Sequence, residues 1–234
     1  MEKNGRPHAI SGEQNGLQTD HVRQQEFLSL TQELGTDLSA RPFKHSECCD
    51  GYLANGAFGW VLTGIVRKTH IFENGQRRIV DVMMAGDFFG VDPDDASTFS
   101  FEAAADGTVI AKITSQKLDT LAATRPSLCL FIVESACRTI SRLERHILVQ
   151  GCTTSTKKVR GYLQSMARRL PREQTPVKLP LSRYDIADHV GIAVETVSRA
   201  ITELRRRGVI ELEGPRGLSM RCSHELAKGL PGEP

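Results

Sequence analysis

The sequence predicts an α+β chain: an N-terminal antiparallel β jelly roll, then a long helix, then a C-terminal winged helix-turn-helix. Three observations predict it. Short apolar runs separated by glycines fill residues 43–113, as in all-β folds of many short strands. After Pro126 the apolar residues change to a period of three to four, the signature of one helical stripe. Ala187, Gly191 four residues on and Val197 six beyond it have the spacing of a helix-turn-helix.

Residues 1–20 are polar and lack apolar periodicity, which predicts a disordered N-terminal segment with no secretory signal. No apolar run approaches the roughly 20 residues needed to cross a bilayer, so the expectation is a cytoplasmic protein without a membrane partner. Residues 21–124 are expected to form the jelly roll. Gly56, Gly59, Gly64, Gly75, Gly86, Gly90 and Gly107 punctuate its strands. Asn74-Gly75, between Thr69-His70-Ile71-Phe72 and Arg78-Ile79-Val80-Asp81-Val82-Met83-Met84, is the strongest hairpin signal, because both residues tolerate positive φ.

Residues 125–150 are expected to form a dimerisation helix roughly 35 Å long. Ile132, Ala136, Ile140, Leu143 and Ile147 share a narrow apolar stripe, flanked by Arg138, Arg142, Glu144 and Arg145. A narrow seam on a long helix suits pairing with a second copy, and it also suits packing on the chain's own sheet. A second helix is expected from Ser155 to Arg169, and the proline-rich stretch Pro171 to Pro180 reads as a loop.

Residues 151–234 are expected to hold the winged helix-turn-helix. Ser182-x-x-Asp185 is a capping box that starts the first helix. Ile186, Ala187 and Val190 form its buried face, and Gly191 supplies the positive φ of a sharp turn. Val194, Val197, Ala200 and Ile201 line the inner face of the second helix. Its outer face carries Glu195, Thr196, Ser198, Arg199 and Thr202. Arginine matches guanine O6 and N7, glutamate accepts from the cytosine amino group, and serine serves several partners, so Glu195, Ser198 and Arg199 are candidate base readers. Thr196 and Thr202 are candidate secondary contacts. Arg205-Arg206-Arg207 either touch phosphates or complement the helix dipole. Val209-Ile210-Glu211-Leu212 and Leu218-Ser219-Met220-Arg221 flank Gly214-Pro215-Arg216-Gly217 as a wing, with Arg216 at its tip near a DNA backbone.

The charge distribution agrees with a nucleic-acid partner. Residues 151–234 hold 15 basic and 9 acidic residues, a net of +6, whereas the other 150 residues carry 15 basic and 19 acidic, a net of −4. Cys48, Cys49, Cys129, Cys137, Cys152 and Cys222 include no C-x-x-C pair, which argues against zinc or an iron–sulfur cluster. No nucleophile elbow, phosphate loop or two-histidine metal motif is present, so the sequence does not read as an enzyme.

The chain resembles the cyclic-AMP receptor protein/FNR superfamily of bacterial regulators over about residues 43–222. Leu62-Thr63-Gly64-Ile65-Val66 and Gly86-Asp87-Phe88-Phe89-Gly90 resemble its cyclic-nucleotide-binding-like jelly roll. Asp185-Ile186-Ala187-Asp188-His189-Val190-Gly191 followed by Val194-Glu195-Thr196-Val197-Ser198-Arg199 resembles its reader, and Glu-x-x-Ser-Arg is similar to the FNR/FixK branch. The resemblance implies a homodimer on a palindrome of TTGA-type half-sites, RNA polymerase as partner, and activation of low-oxygen metabolism genes. The chain departs from the ligand-binding members. No arginine lies between Arg78 and Arg125, where cyclic-nucleotide binders hold the phosphate, and Asp92, Asp94, Asp95, Thr98 and Phe99 stand there instead. The first twenty residues hold no cysteine cluster. The expectation is therefore a FixK-type regulator without cofactor; the alternative is a haem or small-molecule sensor, with His70 as a candidate haem ligand or a structural strand histidine.

Overall fold

Alternating apolar residues fold the first half of the chain into two antiparallel sheets. One runs in the order β1 (Ser39–Phe43), β7 (Thr108–Ile113), β2 (Phe58–Thr63), β5 (Phe88–Gly90). The other runs β4 (Arg77–Met84), β3 (Ile65–Ile71), β6 (Ser100–Ala103). The structure, a computed structural model, describes residues 39–54, 56–90, 98–169, 177–179, 182–213 and 217–220. Segment 1–20, Asp92, Asp94, Asp95, Arg216 and Cys222 lie outside the described residues.

The hairpin at Asn74-Gly75 forms between β3 and β4. Gly75 takes φ +80°, the Asn74 side chain accepts from Gln76 N at 3.0 Å, and Phe72 N donates to the Gln76 carbonyl at 3.0 Å. Inside the roll, Val61 and Ile110 of one sheet meet Val66, Met83, Phe101 and Ala103 of the other. Phe43, Cys49 and Leu53, the last from the short helix α1 (Asp50–Leu53), close the end. Phe89 stacks on Phe101 at 5.1 Å, so side chains fill the interior.

The second sheet is covered on its other face too. Ile65, Ile79, Val82 and Met84 join a core with Val159, Tyr162, Leu163 and Met166 of α4 (Ser155–Ala167). Ile186, Ala187 and Val190 of α5 (Arg183–Val190) and Val197, Ala200, Ile201 and Leu204 of α6 (Val194–Arg206) complete it. Helices after residue 150 thus share a core with strands before residue 85. That explains β3, where Ile65, Val66 and Arg67 are all buried instead of alternating.

After α2 (Ser115–Thr124) comes α3 (Pro126–Gln150), with proline in its first turn, where a missing N–H costs nothing. One side of α3 docks on the roll. Phe131 packs on Trp60 at 5.0 Å, and burying such a ring is worth about 1.5–3 kcal/mol. Ser135 Oγ accepts from Phe88 N at 3.2 Å, and Arg142 grips Asp81 with two hydrogen bonds of 2.7 and 2.6 Å. Burial by itself would raise the Asp81 pKa, but the hydrogen bonds and charge of Arg142 outweigh it and hold the carboxyl below its usual range.

The opposite side of α3 leaves Leu130, Val133, Ile140, Ile147 and Leu148 exposed. Of the five positions expected in the seam, Ala136, Ile140 and Ile147 are exposed, whereas Ile132 and Leu143 are half-buried. Leu130, Val133, Cys137, Ile140, Glu144 and Ile147 follow one another in steps of three and four, a heptad line displaced from the expected stripe. The expected stripe thus holds both half-buried and exposed positions.

Candidate nucleic-acid interface

The reader begins with the predicted capping box. Ser182 Oγ accepts from Asp185 N at 3.1 Å, and Asp185 Oδ2 accepts from Ser182 N at 3.0 Å. Such a cap satisfies two otherwise orphaned helix donors. Helix α5 stops at Gly191, with φ 74° and ψ 42° and its N–H on the Ala187 carbonyl at 2.8 Å. An L-residue in that conformation costs roughly 1–2 kcal/mol. A Cβ on Gly191 would also run into the Arg78 guanidinium. Ala187 is buried in the crossing, where its small side chain lets α6 approach.

Helix α6 is sharply two-sided. Val197, Ala200, Ile201 and Leu204 are buried, with Ile192 and Val194 packed partly against them. Glu195, Arg199, Thr202 and Arg205 are exposed, and Thr196 and Ser198 are half-buried. No ion pair joins Glu195 to Arg199 among the described residues, so both side chains remain available to a ligand. The Thr202 hydroxyl donates to the Ser198 carbonyl at 2.9 Å and therefore offers only lone pairs outward. The three terminal arginines differ. Arg207 is held by Glu203, which also accepts from Thr156 Oγ1 at 2.6 Å, while Arg205 and Arg206 have no ionic partner among the described residues.

Behind the helices a three-stranded antiparallel sheet runs in the order β8 (Val177–Leu179), β10 (Gly217–Met220), β9 (Glu211–Glu213). Gly217 pairs with Glu213 and Leu218 with Leu212, which gives the wing hairpin. Here the structure corrects one reading: Val177–Leu179, expected within a proline-rich loop, is a strand paired with β10. It lies at the sheet's edge.

Sequence reasoning missed the charged contacts that seat the reader. Arg67 Nη1 lies 2.5 Å from Asp185 Oδ1, and Arg77 Nη1 lies 2.8 Å from Asp188 Oδ2. Burial would raise the Asp185 pKa, but the Arg67 charge and the Ser182 hydrogen bonds together hold it below the usual range. An arginine amid an apolar strand was the available signal, since buried charges require partners. His146 of α3 and His189 of α5 pack with ring centroids 4.1 Å apart and planes tilted by 53°, beside a cavity of about 20 Å3 that Tyr162, Arg142 and Arg169 also line. Burial, reinforced by the neighbouring His146, pushes the His189 pKa down to about 3. His70 sits elsewhere, its Nδ1 2.6 Å from the Thr98 carbonyl and its ring edge-on to Phe72. Among the described residues no three His, Cys, Asp or Glu side chains gather as a metal ion would require, and no helix is long and apolar enough to cross a membrane.

A helix-turn-helix with a wing, seated on a β-roll and a long helix, defines a DNA-binding transcription regulator. Comparison with known proteins agrees. The Crp-like helix-turn-helix domain model matches residues 157–227. The nitrogen fixation regulation protein FixK of Azorhizobium caulinodans is 31% identical over 172 residues, covering 72% of this chain and 69% of the relative. The protein of the same name from Bradyrhizobium diazoefficiens is 34% identical over 155 residues, 65% of each chain. The solved structure of FixK2 from Bradyrhizobium japonicum superposes with a TM-score of 0.68 at 26% identity, covering 81% of this chain and 96% of that one. The chain belongs to the CRP/FNR family of transcription regulators, in its FixK-type branch.

Proposed function

We propose that the protein activates transcription as a homodimer on a palindrome of TTGA-type half-sites, working with RNA polymerase and without cyclic AMP or an iron–sulfur cluster. Glu195, Ser198 and Arg199 read bases. Thr196, Thr202, Arg205 and Arg216 add secondary or backbone contacts. The exposed apolar line of α3, with Ile140 near its centre and Ile147 at its end, pairs the two copies. In this reading residues 21–124 form the effector-type roll, 125–150 the pairing helix and 151–234 the reader, and the regulated genes serve low-oxygen metabolism.

The carrying observation is the outer face of α6, where Glu195 and Arg199 stand exposed with no ionic partner among the described residues while the inner face is buried. Ligand independence draws support from the roll, whose interior is occupied by Phe43, Leu53, Val61, Met83, Phe89 and Phe101. A nucleotide pocket of the usual few hundred Å3 would have to displace them. The test is selection of duplexes from a random pool by nucleotide-free, metal-free protein. The expected product is an inverted repeat with TTGA arms; recovery of asymmetric or unrelated sequences would refute the reading. Cyclic AMP should change affinity by less than about tenfold, 1.4 kcal/mol.

A further inference from the structure

The contacts between the β-roll and α5 form a chain of charge. The Arg67 side chain, 5% exposed, meets Asp185, 7% exposed, at 2.5 Å, and its Nη2 lies 3.4 Å from Glu102 Oε2. On the neighbouring strand, Arg77 reaches Glu102 at 2.7 Å, Asp188 at 2.8 Å and Asp185 at 3.8 Å. Two arginines of β3 and β4 thus hold two carboxylates three residues apart, on one face of α5, with Glu102 of β6 between the guanidinium groups.

A buried ion pair is a poor source of stability, because the desolvation of both charges offsets their attraction. What a guanidinium fork fixes is orientation, since its planar donors fit a carboxylate in few arrangements. Asp185 serves twice: it caps α5, and it takes Arg67. One carboxylate therefore sets both where α5 begins and how it lies on the roll. Helix α6 must follow α5, because the Gly191 turn and the shared core of Ile186, Val190, Val197 and Ile201 join them. Helix α3 is fixed to the same roll through Asp81, Phe88 and Trp60. A rigid non-covalent path thus runs from the pairing helix through the sheet to the reading helix.

We propose that Arg67 and Arg77 are positioning residues for DNA recognition: they fix the tilt of α6 relative to α3, so that two copies present their reading helices at one separation. This rests on the two-fold reading proposed above. A spacer changed by one base pair moves a half-site by about 3.4 Å and rotates it by roughly 35°. A reader with a fixed tilt rejects that change, and a reader freed from the roll accommodates it.

The test is titration of the full chain against duplexes carrying inverted TTGA half-sites, with the central spacer varied one base pair at a time. The unmodified protein should prefer one spacer over its neighbours by about tenfold or more. Asp188→Asn and Arg77→Met, at the half-buried pair, should lower that preference to about threefold or less, with melting temperature and dimer mass near those of the unmodified protein. Arg67→Lys, which keeps the charge and loses the fork, should fall between. If Arg67→Lys does not fold, the Asp188 and Arg77 variants decide the matter. Folded variants that keep the full preference overturn the proposal, as does an equal loss of affinity on every spacer, which marks a merely structural role. If the unmodified protein shows no spacer preference, the two-fold reading itself fails and takes this inference with it.

Discussion

Replacing Arg199 with alanine removes an exposed guanidinium that has no ionic partner among the described residues, so folding stability should move by no more than about 0.5 kcal/mol. The loss should be concentrated on specific DNA. A bidentate contact to guanine discriminates by roughly 1–3 kcal/mol, and a two-fold dimer makes it twice, giving about 2–6 kcal/mol for the operator. That corresponds to a drop in affinity between roughly 30-fold and 20,000-fold. Scrambled duplex, bound through phosphate neutralisation, should lose far less. The assay is titration of both duplexes at matched salt beside a thermal melt, with Arg205→Ala as control. Arg205, at the far end of α6 and equally unpaired, should weaken both duplexes alike and flatten the salt dependence. Equal losses on operator and scrambled duplex for Arg199→Ala would refute its role as a base reader.

Ile140→Glu places a charge at the centre of the exposed line of α3, an uncompensated burial in a paired seam that costs several kcal/mol. Sedimentation should show folded monomers with lost operator binding, and a variant that stays dimeric would refute the seam. Arg142→Ala strips Asp81 of its bidentate partner and should destabilise the fold by about 3–5 kcal/mol, toward the lower end because Arg169 still lies near. Denaturant unfolding checks this, and a loss below about 1 kcal/mol would show that the pair is not buried as described. Acid acts through His189, whose pKa falls from 6.5 to about 3 in the fold. Its unfolded form takes the proton first, so its contribution is complete above pH 6.5 and shrinks as pH drops toward 3. Between pH 7 and pH 5 the fold should lose on the order of 2 kcal/mol from this group. Nearby Asp81 and Asp185, held below the usual carboxylate range, act only at lower pH, while His146, also lowered by burial, adds to the same window, so His189→Gln should lessen the pH 5–7 slope without abolishing it; an unchanged slope would assign it elsewhere.

The parts of the fold written locally were legible in the chain. Ser182 and Asp185 specify a cap because both partners lie within one turn, and Gly191 specifies a left-handed stop because few residues tolerate its φ. Asn74-Gly75 specifies a hairpin for the same reason. The two-sidedness of α6 follows from Val197, Ala200, Ile201 and Leu204 recurring at helical spacing, so its outward residues could be named. The face of α3 was less legible. Its period was plain, but a helix apolar on two sides leaves open which stripe meets the roll, and only packing of Phe131, Ser135 and Arg142 settled that.

Local sequence therefore determined where α3 to α6 and the turns at Gly75 and Gly191 lie and which residues α6 turns outward, since capping, backbone φ and periodicity act within a few residues; the helices α1 and α2 were not read from it. The tertiary structure alone decided that Val177–Leu179 pairs as a strand, because its partner β10 is some forty residues away. It also decided that Arg67 and Asp185, 118 residues apart, form one buried pair. No local pattern encodes such contacts: a buried charge announces that it needs a partner, and only the folded chain says which one.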